Sequence, residues 1–200
     1  MPDSISLKME SDVAVTMRDG VTLYADIYRP DSDGPFPTIL QRTPYDKTNA
    51  LSATMLDPIR AAKAGFAVVI QDTRGRYASD GEFYAFRDDI NDGYDTVEWA
   101  ASQPWSTGKV GMYGASYVGA TQWLAAISRP PHLVTIAPTV TASNYHEGWT
   151  YQGGAFELGF NMSWTLLQLT LANFKNVSSV QGVPQERRAV LMHDVDDMTG

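Results

Sequence analysis

The chain contains no cysteine in its 200 residues. Disulfides, thiolate metal sites and a cysteine nucleophile are therefore excluded, although this absence does not fix the compartment. Histidine is nearly as scarce, with three copies, and basic residues are outnumbered: 15 Lys and Arg against 23 Asp and Glu, a formal charge of −8. Such a surface repels nucleic-acid phosphates and anionic lipid, so neither nucleic acid nor membrane is expected as a partner. The apolar runs are too short to span a bilayer, and Met1 to Leu7 carries neither a basic nor an apolar leader segment. The expectation is a soluble, cytoplasmic protein. Without a secretion signal, the sequons at Asn161-Met162-Ser163 and Asn176-Val177-Ser178 read as chance matches. Internal repeats and low-complexity tracts are also missing.

What is present is globular: 44% apolar and 19% charged residues, 16 Gly, 11 Pro, and 7 Phe, 5 Trp and 10 Tyr. The length suits one to two domains and one sizeable core. Val13 to Met17 and Val21 to Tyr28 alternate around Arg18-Asp19-Gly20, which predicts an antiparallel hairpin. Thr38 to Arg42 predicts a buried strand, and Leu51 to Ala64 a helix with Met55, Ile59 and Ala62 at helical spacing. Phe66 to Gln71 is a continuous apolar run of the kind found in parallel strands covered on both faces. A helix from Asp88, with Ile90, Tyr94 and Val97 on its apolar face, a strand over Lys109 to Tyr113, a helix over Tyr117 to Ile127 and a strand over Leu133 to Ala137 follow. The order β-β-β-α-β-α-β-α-β predicts an α/β fold with a mostly parallel sheet and helices on both faces. Near residue 144 the pattern breaks into an aromatic, glycine-rich stretch and then a polar helical one. The expected domains are 1–144, an α/β unit, and 145–200, a helical insertion.

Residues 72 to 98 hold eight carboxylates against Arg74, Arg76 and Arg87. An EF-hand loop begun at Asp89 would put Tyr94 where glycine belongs and Ala100 where the bidentate glutamate belongs, so the stretch reads as a solvated face and no metal is expected.

The segment Gly114-Ala115-Ser116-Tyr117-Val118-Gly119, between a strand and a helix, has the context of a nucleophile elbow. A serine held in a strained turn needs small neighbours, and the following N–H groups then face a developing oxyanion at a helix N-terminus. Gly114 meets that need upstream; downstream, Val118 takes the position where a strict G-x-S-x-G has glycine, which arrives one residue later as Gly119. A plain helix N-cap at Ser116 is the structural alternative.

Together, Met17-Arg18-Asp19-Gly20-Val21, Tyr28-Arg29-Pro30, Arg42-Thr43-Pro44-Tyr45-Asp46-Lys47, Gln71-Asp72-Thr73-Arg74-Gly75, Ser79-Asp80-Gly81-Glu82-Phe83 and the elbow resemble the cocaine esterase family of serine hydrolases, relatives of the X-Pro dipeptidyl-peptidases and α-amino-acid ester hydrolases. The resemblance runs from about Val13 to about Trp164, and its elbow reads G-x-S-Y-x-G. It implies an incomplete α/β-hydrolase fold with the start of a helical cap, and Ser116 as the nucleophile that forms an acyl-enzyme. It further implies an oxyanion hole from the Tyr45 phenol and the Tyr117 N–H, and an acyl pocket lined by Trp149 and Trp164. It makes Asp72 and Arg74 a structural ion pair. Without the family, Tyr45 and the two tryptophans read more readily as core aromatics. No cofactor is implied.

A serine hydrolase of this type needs an acid and then a histidine after the nucleophile. No Asp or Glu lies between Ser116 and His132 or His146, and His193 reads as a surface residue of a cap helix. The expectation is the N-terminal part of a larger hydrolase, inactive on esters by itself, with an unclosed sheet edge. Its expected partners are a small-molecule ester or amide, the remainder of its own polypeptide, and a second copy as a homodimer. An amide-cleaving relative (X-Pro dipeptidyl-peptidase or β-lactam acylase) and a non-catalytic binding domain that kept the fold are the alternatives.

Overall fold

A computed structural model of the chain describes residues 6–49 and 55–170. These fall in two compact units, one ending at Ala155 and the other beginning at Phe156.

The first unit opens with β1 (Leu7–Thr16) and β2 (Thr22–Pro30), paired antiparallel across the Asp19-Gly20 turn. Gly20 sits at φ 87°, and its N–H donates to the Met17 carbonyl at 2.9 Å, which closes the predicted hairpin. β1 bulges between Glu10 and Val13, where Asp12 takes φ 52° and donates its N–H to Asp26 Oδ1 at 3.0 Å. Then come β3 (Phe36–Thr43), α1 (Pro58–Lys63), β4 (Ala67–Asp72), α2 (Asp89–Ser102), β5 (Ser106–Ala115), α3 (Tyr117–Ile127) and β6 (Leu133–Thr139). The sheet order is β1-β2-β4-β3-β5-β6, with β4, β3, β5 and β6 mutually parallel and β2 antiparallel to β4. The element order and the mostly parallel sheet match the sequence expectation.

Period-2 alternation divides the core between the two faces. Leu40, Val69 and Met112 pack with Val97, Ala100 and Ala125 under α2 and α3, while Val68 and Ile70 pack with Ala61 of α1. All six residues of β4 are buried, as its unbroken apolar run predicted. β1 and β6 are the edge strands of this sheet among the described residues, and Val134 stands exposed on β6. Among the described residues no helix is long and apolar enough to cross a membrane.

Two helix expectations change. α1 starts at Pro58 because the Asp57 side chain accepts the N–H groups of Ile59 and Arg60, so Met55 precedes the helix; Met55 and Ile59 are 49% and 41% exposed. Residues 51–54 of the expected helix lie outside the described ones. In α2 the buried positions include Asp89, Asp92, Gly93, Thr96, Val97 and Ala100, so the inward face carries two acids, whereas Ile90 and Tyr94 are half-buried. The cause is Arg42 at the end of β3. Its guanidinium is 0% exposed, donates from Nη1 to Asp89 Oδ1 at 2.9 Å and from Nε to Gln71 Oε1 at 2.9 Å, and lies 3.8 Å from Asp92 Oδ2.

Removing one side of a buried ion pair leaves the other charge uncompensated, at about 3–5 kcal/mol. Arg42→Met is therefore expected to destabilise the intact protein by about that amount in urea unfolding. A loss below about 1 kcal/mol, the level of an exposed pair, would mean that water reaches Asp89 and Asp92.

Candidate active site

β5 ends at Ala115 and α3 begins at Tyr117, which leaves Ser116 alone at the turn with φ 59° and ψ −125°. Few non-glycine residues hold such a conformation, and it persists only where the surroundings over-determine it. Here both sides do so. The Ser116 N–H donates to Thr139 and Val140 carbonyls at the end of β6 (3.0 and 3.1 Å), and its carbonyl accepts Gly119 and Ala120 N–H groups, the first bonds of α3. A Cβ on Gly114 would lie 2.2 Å from Val118 Cγ1, and one on Gly119 would lie 2.8 Å from Thr141 Cβ. The two glycines at −2 and +3 thus make room for Val118 and for the chain beyond β6. Ser116 occupies the N-cap position of α3, but its hydroxyl makes no capping bond to the helix.

Tyr117 is the first residue of α3, so its N–H belongs to the first turn, where no intrahelical acceptor is available. Its ring is fully buried. The phenol donates to Asp89 Oδ2 at 2.8 Å and accepts the Phe86 N–H at 2.8 Å. Burial, together with the Asp89 charge, pushes the Tyr117 phenol well above its ordinary pKa, and burial likewise raises Asp89.

Tyr45 lies just past β3 and meets the Tyr117 ring edge-on, with centroids 6.4 Å apart. Its loop is tied down on several sides. Tyr45 N–H donates to Thr43 Oγ1 (3.1 Å), Arg76 Nε donates to the Pro44 carbonyl (2.8 Å), and Lys47 N–H donates to Asp72 Oδ1 (2.7 Å). Lys47 Nζ reaches Asp12 and Asp26 at 2.8 and 3.1 Å. Burial works to lower the Lys47 pKa, but those two carboxylates outweigh it and hold the ammonium above its ordinary value. Asp72 is itself fully buried, and the desolvation pushes its carboxyl up to about 7 against the pull of the Lys47 and Ala78 N–H groups.

On the other side of Tyr117 stands Phe86, at φ 68°, stacked on it at 4.5 Å; Phe86 also meets Tyr145 at 4.9 Å and Trp149 edge-on at 6.5 Å. Ring contacts thus join Tyr45, Tyr117 and Trp149, three of the five expected site residues, around the turn that carries Ser116. Trp164 belongs to the second unit, where it ends the helix Leu158–Ser163, opens a π-helical turn to Thr170 and stacks on Phe160 at 6.2 Å.

Two expectations are corrected. Arg74 does not pair with Asp72: it forms a bidentate pair with Asp92 (2.9 and 2.6 Å) and reaches Asp19 at 2.8 Å, while Asp72 turns toward Lys47 N–H and Ala78 N–H. Residues two apart share a face only while the strand continues, and β4 ends at Asp72, so Arg74 on the following turn is free to serve a different wall. The acid-rich stretch is not a solvated face throughout, because Asp72, Asp89 and Asp92 are buried. Sequence reasoning missed Asp89 and Phe86; the available signal was Arg42, a cation closing a buried strand, which required acids nearby.

His132 precedes β6 and bonds Glu98 at 2.7 Å; it lies at the far end of the sheet, about 20 Å from Ser116 at ~3.3 Å per strand residue. His146 is exposed and stacks on Tyr151 at 4.6 Å. His193 lies outside the described residues. Among the described residues no cluster of His, Asp and Glu could hold a metal ion.

The X-Pro dipeptidyl-peptidase (S15) family model matches residues 19–198. Cocaine esterase from Rhodococcus sp. (strain MB1 Bresler) is 46% identical over 160 residues, which cover 78% of this chain and 28% of that protein. A CocE/NonD family hydrolase from Staphylococcus aureus superposes with a TM-score of 0.76 at 29% identity, over 92% of this chain and 36% of its own. An α/β hydrolase from Penicillium sp. sh18 superposes at 0.58 with 18% identity, over 84% and 53% of the two chains, a likeness of fold alone. The chain thus has the α/β-hydrolase fold and spans under a third of the length of the esterase it matches.

The buried Asp72 yields a prediction. Its native pKa of about 7 stands above the ordinary ~3.9, so between about pH 4 and 7 the native state holds a proton that the unfolded state has lost. Stability then falls as pH rises through that window and levels off above it. Relative to Asp72→Asn, the intact protein is expected to lose up to about tenfold in its folding equilibrium per pH unit, read from urea midpoints between about pH 4.5 and 8. A difference independent of pH would show that Asp72 is ionised throughout.

Proposed function

Because this chain belongs to the X-Pro dipeptidyl-peptidase (S15) family, we propose that it carries the nucleophile and oxyanion hole of a serine hydrolase that cleaves carboxylic esters. The observation that carries this reading is the strained backbone of Ser116 between β5 and α3, with glycine wherever a side chain would collide.

In the proposed reaction Ser116 Oγ attacks the ester carbonyl carbon, and its proton passes to a general base. The carbonyl π electrons move onto oxygen, where the Tyr45 phenol and the Tyr117 N–H stabilise the negative charge. Both donors are neutral and rigidly held, so they act without reorganising as charge develops. The tetrahedral species collapses to an acyl-enzyme as the protonated base gives its proton to the departing alkoxide, which leaves as the alcohol. Water then loses a proton to the same base as it attacks the acyl carbonyl, and the second oxyanion collapses to the carboxylic acid while the base returns the proton to Ser116 Oγ. A base is required because a serine hydroxyl is a weak nucleophile. His132 lies at the far end of the sheet, and no Asp or Glu stands between Ser116 and His146 to complete an ordered triad, so we assign the histidine and its orienting acid to the length by which the relatives exceed this chain. The ring wall of Phe86, Tyr145 and Trp149 suits a planar or bulky acyl group. The 46% identity to an esterase favours esters over amides. The pocket needs no metal or cofactor in this mechanism.

A fluorophosphonate probe on the intact protein is expected to label Ser116, and Ser116→Ala to abolish both labelling and ester turnover. No adduct in a folded sample would leave a binding domain that kept the fold. Tyr45→Phe is expected to lower kcat by about 10²–10³; turnover within a few-fold of the parent would remove Tyr45 from the oxyanion hole. Parallel assays with an aryl ester and an X-Pro anilide separate the esterase from its amide-cleaving relative.

A further inference from the structure

We propose that Asp72 and Arg76, on the loop side of β4, are positioning residues that bracket Tyr45 and hold its phenol in register with the Ser116 turn. The inference rests on the reading of Tyr45 as an oxyanion donor and deepens it.

An oxyanion donor has to be in place before charge develops, and a displacement of about 1 Å can lower the rate by about 10². Tyr45 has no strand to fix it, since β3 ends at Thr43 and the next residues form a turn with Asp46 at φ 82°. The ties come instead from the parallel neighbour, β4. In register, Arg42 faces Gln71 and Thr43 faces Asp72, so the chain leaving β3 runs beside the chain leaving β4. The Thr73 N–H donates to the Thr43 carbonyl at 2.9 Å, continuing the ladder one residue beyond the strand.

Past that point side chains take over. Arg76 Nε holds the carbonyl just before Tyr45, and Asp72 Oδ1 holds the N–H two residues after it. Both holders are themselves fixed. The Asp72 carbonyl accepts Ser79 Oγ at 2.7 Å, its Oδ2 accepts the Ala78 N–H at 3.3 Å, and Ser79 Oγ accepts the Tyr24 N–H at 2.9 Å. Arg76 is 1% exposed, with its guanidinium 4.9 Å from the Phe83 ring centroid and 5.3 Å from that of Tyr77. Desolvation pulls the Arg76 pKa down against the opposing pull of Tyr77. The two stretches Arg42 to Lys47 and Gln71 to Arg76 belong together: each supplies the partners that the other requires.

The test is a double-mutant cycle on the intact protein, measuring ester kcat and KM and fluorophosphonate labelling of Ser116. Asp72→Ala and Arg76→Met are each expected to lower kcat by about 10- to 100-fold with KM nearly unchanged. Asp72→Asn keeps one acceptor for the Lys47 N–H and should recover most of the loss. In a Tyr45→Phe background the same substitutions should change kcat by less than about twofold, because the group they position is gone. Equal losses in both backgrounds, or no loss in the parent, overturn the bracket. If Asp72→Ala does not fold, Arg76→Met alone completes the cycle, since it keeps the buried volume. Full turnover in Tyr45→Phe alone refutes the oxyanion reading itself; a slowed Tyr45→Phe with additive losses refutes only the bracket.

Discussion

Much of this molecule follows from one buried cation. Arg42 ends the second parallel strand in the sheet, β3, with no exposed surface, and its charge has to be met inside the protein. Gln71 on β4 and Asp89 and Asp92 on α2 meet it, which draws the N-terminal turn of α2 down onto the carboxyl ends of β3 and β4. From Asp89 the network continues to the Tyr117 phenol and the Phe86 N–H, and from Asp92 to Arg74 and the hairpin acid Asp19. A buried pair is a poor source of net stability but is unforgiving of a wrong partner. Here it ties α2, the elbow helix and Phe86 of the aromatic wall together at the carboxyl edge.

Strain at Ser116 is the second constraint, and it is met by different means. The Thr139 and Val140 carbonyls at the end of β6 accept its N–H, and two helical N–H groups hold its carbonyl, so the unfavourable backbone has nowhere to relax. The Tyr117 ring, locked between Asp89 and Phe86, keeps the first turn of α3 from rotating. Backbone strain on one side and a buried polar network on the other act on adjacent residues, 116 and 117. Under the proposed function, that adjacency sets a fixed nucleophile beside a fixed oxyanion donor.

Sequence legibility differed by kind of signal. The hairpin, the order of elements along the chain and the α3 boundaries were readable because each rests on local rules: an Asp-Gly turn, a continuous apolar run, a glycine beside a serine after a strand. The inward face of α2 was not, because its hydrophobic spacing pointed to Ile90 and Tyr94 while the buried positions went to Asp89 and Asp92. The error has a single cause: a helix facing a buried guanidinium turns carboxylates inward, against the usual pattern. The start of α1 was misplaced for a local reason, since the Asp57-Pro58 cap outweighed the apolar spacing of Met55 and Ile59.

By itself the sequence determined the α/β class, the parallel sheet and the position of the strained serine, because periodicity, turn chemistry and the glycines around Ser116 act over a few residues. Tertiary structure alone decided which carboxylates are buried, that Arg74 belongs to Asp92 rather than Asp72, and that Phe86 stands against Tyr117. Those choices depend on which charges meet once distant strands are aligned, and charge pairing across a parallel ladder leaves no periodic trace along the chain.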